Sequence, residues 1–318
     1  MLGFTIDSLT LFLSWEKLID FNFQHFEKRI NPKTIRRGVF KGWKEGFHKN
    51  FRLKFHKNYG IYIMGSISNY SCGYSSLLQY NQLQSSIENL GNELDLELHS
   101  ARLYRIDLAL NIVTNNSITE YNNKLFTDLP HFTRLEQADG VRFDTEKIRI
   151  AIYNKTKELS DKRGINIYSN VLRIEFRLLK GVSEVLGVKE MKIENLYNHK
   201  NYIKLVNKFV EYYQKIKKQT IPVESINLTE VTPSKFSNLL KRNNLDIIFG
   251  SEKDAYRQIE QWDTEGKFKN ANNKSRCKKI ISDLSNDKIV STAHPHIEEI
   301  NQKVTEECEK ILREFEVK

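Results

Sequence analysis

The chain has 318 residues, 39% of them hydrophobic and 28% charged, with only 14 glycines and 5 prolines. That composition excludes collagen-like, low-complexity and wholly disordered chains, and no apolar run reaches the roughly 18 to 20 residues that a membrane span needs. Fifty Lys and Arg against forty Asp and Glu leave a formal charge of +10, which favours a polyanionic partner.

In chain order, the first half reads as strands separated by polar turns. The opening segment carries Asp7 where a secretory signal would have a basic region, so the expected location is cytoplasmic, with no membrane partner. Phe4 to Leu13 reads as a strand. From Lys28 to Lys44 seven basic residues occur with no acidic one, and Arg36 and Arg37 at its centre are candidate phosphate contacts. Phe51 to His56 and Gly60 to Met64 follow as strands; Phe51, Leu53 and Phe55 alternate with Arg52, Lys54 and His56 at the period of a half-buried strand. A helix is predicted over about Tyr74 to Asn92. Three more strands, Arg102 to Val113, Lys147 to Asn154 and Val171 to Leu179, are interrupted by short helices at Ile118 to Leu125 and Thr156 to Arg163.

After Gly181 the character becomes helical. Ile193 to Lys218 has Lys, Tyr and Leu at helical spacing, Thr232 precedes a proline as an N-cap would, and Ser251 with Asp254 resembles a capping box. The tyrosines at 212 and 213 are expected to pack in the core. Lys267 to Lys279 holds six unopposed basic residues, of which Lys274, Arg276, Lys278 and Lys279 are candidate DNA-backbone contacts. The segment from about Ser285 reads as a loosely held helix or tail. The fold class is therefore α+β: an antiparallel-sheet catalytic domain with flanking helices over 1–185, then a mostly helical region over 186–318 with a DNA-binding or accessory role.

Cys72, Cys277 and Cys308 have no CxxC spacing, so reduced structural thiols are expected rather than disulfides or a zinc knuckle. His294-Pro295-His296 is a poor metal motif, because its proline argues against a central strand. His99 reads as a surface or capping group, with a third metal ligand as the alternative.

The informative pattern is the polar face of the last three strands. In RIDLALN, Ile106, Leu108 and Leu110 face opposite to Arg105, Asp107, Ala109 and Asn111. In RIAIYNK, Arg149, Ala151, Tyr153 and Lys155 share one face, and in LRIEFRL so do Arg173, Glu175 and Arg177. Paired in one antiparallel sheet, these strands bring Asp107, Glu175, Tyr153 and Lys155 together with Arg105, Arg149 and Arg173. Two carboxylates at strand centres can hold a hard divalent cation, and a tyrosine beside them can act as nucleophile in phosphodiester chemistry. The plainer alternative is a sheet face laced with Arg to carboxylate pairs, each worth at most about 1 kcal/mol when exposed.

These residues also carry a resemblance. FTIDSLTLFL, GIYIMGSISNYSCG, RLYRIDLALN, and RIAIYNKTKEL followed by VLRIEFRLLKG occur in the order found in the gene II/X family of phage and plasmid replication proteins, which the chain resembles over about residues 1 to 190. A later segment, SRCKKIISDL, is also similar. The resemblance implies a rolling-circle initiator that nicks one strand at an origin, stays joined to the 5′ phosphate through a tyrosine, leaves a 3′ hydroxyl for a host polymerase, and later rejoins the displaced strand. It places Tyr153 at the nucleophile, Lys155 at the family's lysine, and Asp107 and Glu175 at acidic positions suited to Mg2+ or Mn2+. Gly65-Ser66 departs from the pattern, being followed by Ser68, Asn69 and Tyr70 in place of a lysine. No GxxxxGK[ST] loop occurs, so unwinding would fall to a host helicase. Two other readings stand beside this one: a non-catalytic origin-binding protein, and a metal-dependent nuclease that uses water.

Overall fold

The computed structural model of the chain describes residues 3–316 apart from 20, 75, 122, 168, 220–230, 243–248, 250–251 and 286–293. In chain order β1 (Gly3–Ser14) and α1 (Phe23–Ile30) lead into β2 (Lys33–Thr34), β3 (Lys44–His48), β4 (Phe51–His56) and β5 (Gly60–Ser66). Two helices, α2 (Ile67–Cys72) and α3 (Leu83–Leu94), precede the long β6 (Arg102–Val113). After β7 (Phe126–Asp128) come β8 (Thr133–Gln137), β9 (Gly140–Asp144), β10 (Ile148–Asn154), α4 (Lys155–Arg163) and β11 (Val171–Leu178). The remainder is α5 (Val182–Leu186), α6 (His199–Lys215), β12 (Lys217–Lys218), α7 (Pro233–Arg242), α8 (Glu252–Thr264), α9 (Ala271–Ser285) and α10 (Pro295–Glu316). The class is α+β, as expected.

Among the described residues ten strands form one sheet in the order β2-β3-β4-β5-β1-β6-β11-β10-β9-β8, every pairing antiparallel. Two meanders, β2 to β5 and β8 to β11, flank the central pair β1 and β6. The three site strands lie side by side as β6-β11-β10. Their apolar face follows from the period-two alternation. Phe176 of β11 meets Phe209 and stacks on Tyr212 of α6 at 5.4 Å, and Phe4 of β1 meets Phe209 edge to face at 4.9 Å. Further along the same face, Phe26 of α1 packs on Phe55 at 5.3 Å. Tyr212 and Tyr213 therefore serve packing, as their spacing suggested, and Tyr213 is 3% exposed.

The chain divides into two compact units, which sets the boundary later than the expected 185/186. The first comprises Met1–Asn123, Asp128–Ile216 and Ile300–Lys318, and the second Lys124–Thr127 and Lys217–Glu299. The reason is α6, which buries Leu205, Val206 and Phe209 as part of the sheet domain. The second unit has its own core, with Phe236, Ile259, Trp262, Cys277 and Ile281 at its centre.

Other differences have local causes. The helix expected over 74–92 starts only at Leu83, after the 3-10 turn Tyr80–Gln82, and α2, which ends at Gly73 with φ 73°, precedes the expected span. Residues 118–125 hold two 3-10 turns, Ile118–Glu120 and Asn123–Leu125. Asn198 caps α6 by accepting from the Lys200 amide at 2.9 Å, so the preceding Ile193–Tyr197 is a separate 3-10 turn. Thr232 caps α7 as expected, its hydroxyl accepting from the Lys235 amide at 3.3 Å. The Ser251 half of the expected capping box lies outside the described residues. Of the loosely held helix or tail expected from about Ser285, the structure has a helix, the 22-residue α10, but not a loose one: Ile300, Val304 and Ile311 are buried and Asn301 Oδ1 accepts from Tyr213 Oη at 2.7 Å. Among the described residues no helix is long and apolar enough to cross a membrane.

Candidate active site

The register turns the polar face of β6, β11 and β10 into a grid of three cross-strand rows. Asp107 lies opposite Arg177 and Arg177 opposite Arg149; Ala109 lies opposite Glu175 and Glu175 opposite Ala151; Asn111 lies opposite Arg173 and Arg173 opposite Tyr153. β9 extends the rows with Asp144, Arg142 and Gly140. Two alanines thus flank Glu175, leaving its carboxylate reachable from the neighbouring rows. On the other side, Asp7 is an extra residue of β1, since Ile6 pairs with Leu108 and Ser8 already with Asp107. Such a bulge re-aims a side chain, and Asp7 Oδ1 lies 3.5 Å from the Arg173 guanidinium.

Tyr153 Oη donates to Glu175 Oε1 at 2.6 Å. Glu175 also accepts from Arg177, whose Nε lies 2.8 Å away, and is 3.7 Å from Arg173. Arg173 Nε is fixed by Asn111 Oδ1 at 2.7 Å. Asp107 receives both arms of Arg105, with Nε at 2.8 Å from Oδ1. Glu175 and Asp107 are each 2% exposed. An ordinary sheet would leave this face solvated; here Asp107, Asn111, Arg173 and Glu175 on it are buried, because guanidiniums cover and neutralise the carboxylates.

The titrations of the two carboxylates diverge. For Glu175, burial favours the neutral acid, but the charges of Arg177 and Arg173 and the Tyr153 hydroxyl outweigh it, so its pKa lies below the usual carboxylate range. For Asp107, burial outweighs Arg105 and Arg177, and Glu175 adds to it, so its pKa is raised. Burial, together with the Glu175 charge, holds the Tyr153 phenol well above its ordinary value. Tyr153 is thus a neutral donor aimed at an ionised acceptor. Paired groups pushed in opposite directions are the arrangement from which acid and base roles are read.

A cleft of about 290 Å3 opens over Ala151, Tyr153 and Arg177, walled by Arg142, Glu158 and Lys162. Arg142 Nε is, among the described residues, the buried side-chain nitrogen or oxygen without a hydrogen-bond partner. Asp144 Oδ2 is 3.1 Å from it without hydrogen-bond geometry. A buried donor left over beside a cleft is what an anionic ligand would satisfy.

Lys155 is not on the strand face in the way its alternation suggested. Asn154 ends β10 and caps α4 by accepting from the Lys157 amide at 2.9 Å, which makes Lys155 the first helical residue. Its ammonium turns to Glu158 Oε2 at 2.6 Å, on the cleft wall. Arg149 pairs with Asp144 Oδ1 at 2.9 Å. Arg105, Arg173, Asp107, Glu175 and Tyr153 do come together. The pair Asp107 and Glu175 does not fit a divalent ion in this arrangement: Arg177 binds Glu175 while its Nε stands 3.8 Å from Asp107 Oδ2, so a guanidinium fills the place between the carboxylates. Among the described residues no group of three or more His, Cys, Asp and Glu side chains is placed to hold a metal ion. His99 is occupied by Tyr197 Oη at 2.8 Å, and His294 precedes Pro295 at the start of α10 rather than a strand. Gly65 permits close packing, since a Cβ there would meet Phe51 at 2.6 Å, and Ser66 caps α2.

No protein-family model matches the chain, and no curated protein matches it. The site therefore stands on its geometry and on the ordered motifs.

Of the remaining candidate DNA contacts, Arg36 and Arg37 are exposed in the loop between β2 and β3. Lys274 is engaged by Glu260 and Asp263, and Lys278 by Glu260, within the second unit, whereas Arg276 and Lys279 are exposed. Sequence reasoning placed Arg177 on the polar face without giving it a role, and missed Arg142, Glu158 and Asp7. The signal for Arg142 was present in LEQADGVRFD: Asp139-Gly140 between alternating residues is a hairpin signature, and β8 and β9 are joined there by the two residues Ala138 and Asp139.

Proposed function

We propose that the protein is a site-specific DNA nickase and strand transferase that initiates rolling-circle replication, with Tyr153 as nucleophile. The observation that carries it is the 2.6 Å hydrogen bond from Tyr153 Oη to an ionised Glu175 at the edge of a cleft that also holds the unsatisfied Arg142 Nε. Nucleophile, base and anion donor are then within one small site. The ordered RID, YNK and RIE strands resemble the gene II/X initiators, which supports assigning DNA as the substrate.

In the reaction, a backbone phosphate enters the cleft and its non-bridging oxygens accept from Arg142 and Arg177. Tyr153 Oη attacks phosphorus as its proton passes to Glu175 Oε1, the bond from phosphorus to the 3′ oxygen breaks, and that oxygen leaves as a hydroxyl after taking a proton from solvent. The product is a 5′ phosphotyrosine, and attack on it by a 3′ hydroxyl reverses the step and rejoins a strand. Asn111 and Arg173 position the Glu175 carboxylate. Lys155 acts through Glu158, holding that carboxylate away from the incoming phosphate. The Mg2+ or Mn2+ implied by the resemblance is a variable of the test and not a step of this mechanism.

The test is covalent capture: protein, supercoiled DNA carrying its own replicon, with and without each divalent ion, then denaturing electrophoresis. An adduct that Tyr153→Phe abolishes supports the reading. Relaxation without an adduct would favour a nuclease using water, and binding without cleavage an origin-binding protein.

A further inference from the structure

We propose that the polar face of β1, β4, β5 and β6 is a stacking platform for a single strand of DNA. Lys54, Tyr62, Phe12 and Arg102 form one cross-strand row on this face, opposite to the buried Leu11, Ile61 and Ile63. A sheet that uses one face for its core has no packing need for large rings on the other. Here Phe12 meets Tyr62 at 4.5 Å, Tyr104 meets Tyr62 at 5.5 Å, and Trp43 lies 5.6 Å from Tyr62. Trp43 is also parallel to Tyr59, at 5.9 Å with 5° between the rings, and Tyr59 is 61% exposed. The rings of Phe12, Trp43, Tyr62 and Tyr104 are half-buried, each leaving ring surface to solvent.

Cations are interleaved with the rings. The Arg102 guanidinium lies over Tyr104 at 4.9 Å, and the Lys54 ammonium over Phe40 at 4.1 Å. The loop over 35–43, closed by the Ile35 amide donating to the Trp43 carbonyl at 2.7 Å, carries Arg36, Arg37 and Lys41 into solvent. None of those three makes an ion pair among the described residues. Two carboxylates near these cations are already engaged: Glu45 of β3 binds Arg52 at 2.6 Å and lies 4.0 Å from Lys54, and Asp107 of β6 is held by Arg105.

Half-buried rings flanked by cations match unpaired bases and the phosphates between them. A duplex keeps its bases stacked on each other and offers the rings nothing. The platform and the site share one sheet: β5-β1-β6-β11-β10 are successive strands, so Tyr62 and Tyr153 are four strand spacings apart, about 19 Å across the sheet, and their rows cross β6 at Arg102 and Asn111, about 30 Å apart along that strand. Together these span about 35 Å, the length of roughly ten stacked nucleotides. The identity of the strand as DNA rests on the function proposed above; the stacking and charge arguments do not.

The experiment is equilibrium binding of oligothymidine by the full chain, read by tryptophan emission and by anisotropy of a labelled strand. An oligomer of about 12 nucleotides is expected to bind and quench Trp43, a duplex of equal length to do neither, and Tyr62→Ala to weaken binding about tenfold. Trp43→Phe keeps a ring, so affinity is expected to hold within about threefold while most of the quench disappears. Arg36→Ser with Arg37→Ser, at exposed positions that cannot harm folding, is expected to weaken binding and to reduce the salt slope by about 1.4. Wild-type affinity in both the Tyr62→Ala and the double arginine variant would overturn the proposal, as would equal quenching by duplex. Binding that behaves as expected in a protein that forms no adduct would leave the platform standing and remove the nickase.

Discussion

At the residue scale, Asp107 and Glu175 make opposite predictions. Burial raises the Asp107 pKa above its unfolded value, so its charge costs stability as pH rises past the usual carboxylate range, and the cost is complete above the folded pKa. Asp107→Asn is therefore expected to raise the melting temperature at pH 7 to 8, by about 2 to 4 °C for roughly 1 kcal/mol in a protein this size. A lowered melting temperature would mean that the Arg105 pair outweighs burial. Glu175 has a lowered pKa, so its contribution is present above the ordinary value of about 4.3 and is lost as pH falls through the folded pKa. Glu175→Gln takes from Arg177 the carboxylate it binds while Arg173 keeps Asn111 and Asp7, and losing one partner of a buried pair costs about 3 to 5 kcal/mol. Urea melts at neutral pH measure that loss, and the gap to wild type should narrow in acid.

At the element scale, Gly140 is the close-approach point of the site. A Cβ there would lie 2.1 Å from the Ile152 carbonyl oxygen and 2.7 Å from Tyr153 Cα. Gly140→Ala must push β9 away from β10 at the nucleophile, so single-turnover cleavage is expected to drop by about a hundredfold with DNA binding retained; unchanged cleavage would show that β9 does not position Tyr153. The strands β6, β10 and β11 were legible because each alternates cleanly over six or more residues, and their shared polar face could be assembled before any pairing was known. The registers were not legible. Arg177 rather than Glu175 lies opposite Asp107 because the offset of β11 against β6 is set by the whole sheet, and the bulge that aims Asp7 at the site arises only in the pairing of β1 with β6. α1 was missed although Phe26 and Ile30 form its buried stripe and Asn22 and Asn31 bracket it; the surrounding basic run drew the reading toward phosphate contacts. Lys155 was placed on the strand face because alternation does not show where a strand ends, and the Asn154 cap ends this one.

At the scale of the whole molecule, two cores imply two unfolding units. Trp262 is 2% exposed at the centre of the second, and Trp262→Ala is expected to cost that unit about 3 to 5 kcal/mol. Unfolding followed by different probes should then separate into two transitions; one coincident transition would contradict independent cores. Tyr153, Glu175, Arg177 and Arg142 all belong to the first unit, so cleavage of a single-stranded substrate is expected to survive this substitution.

The most direct test of the central claim is covalent capture with mapping of the adduct. Incubating the protein with its own replicon and digesting the denatured complex should yield one DNA-linked peptide, spanning Tyr153, that vanishes in Tyr153→Phe. A linkage to any other residue, or nicked DNA without linkage, would contradict the account.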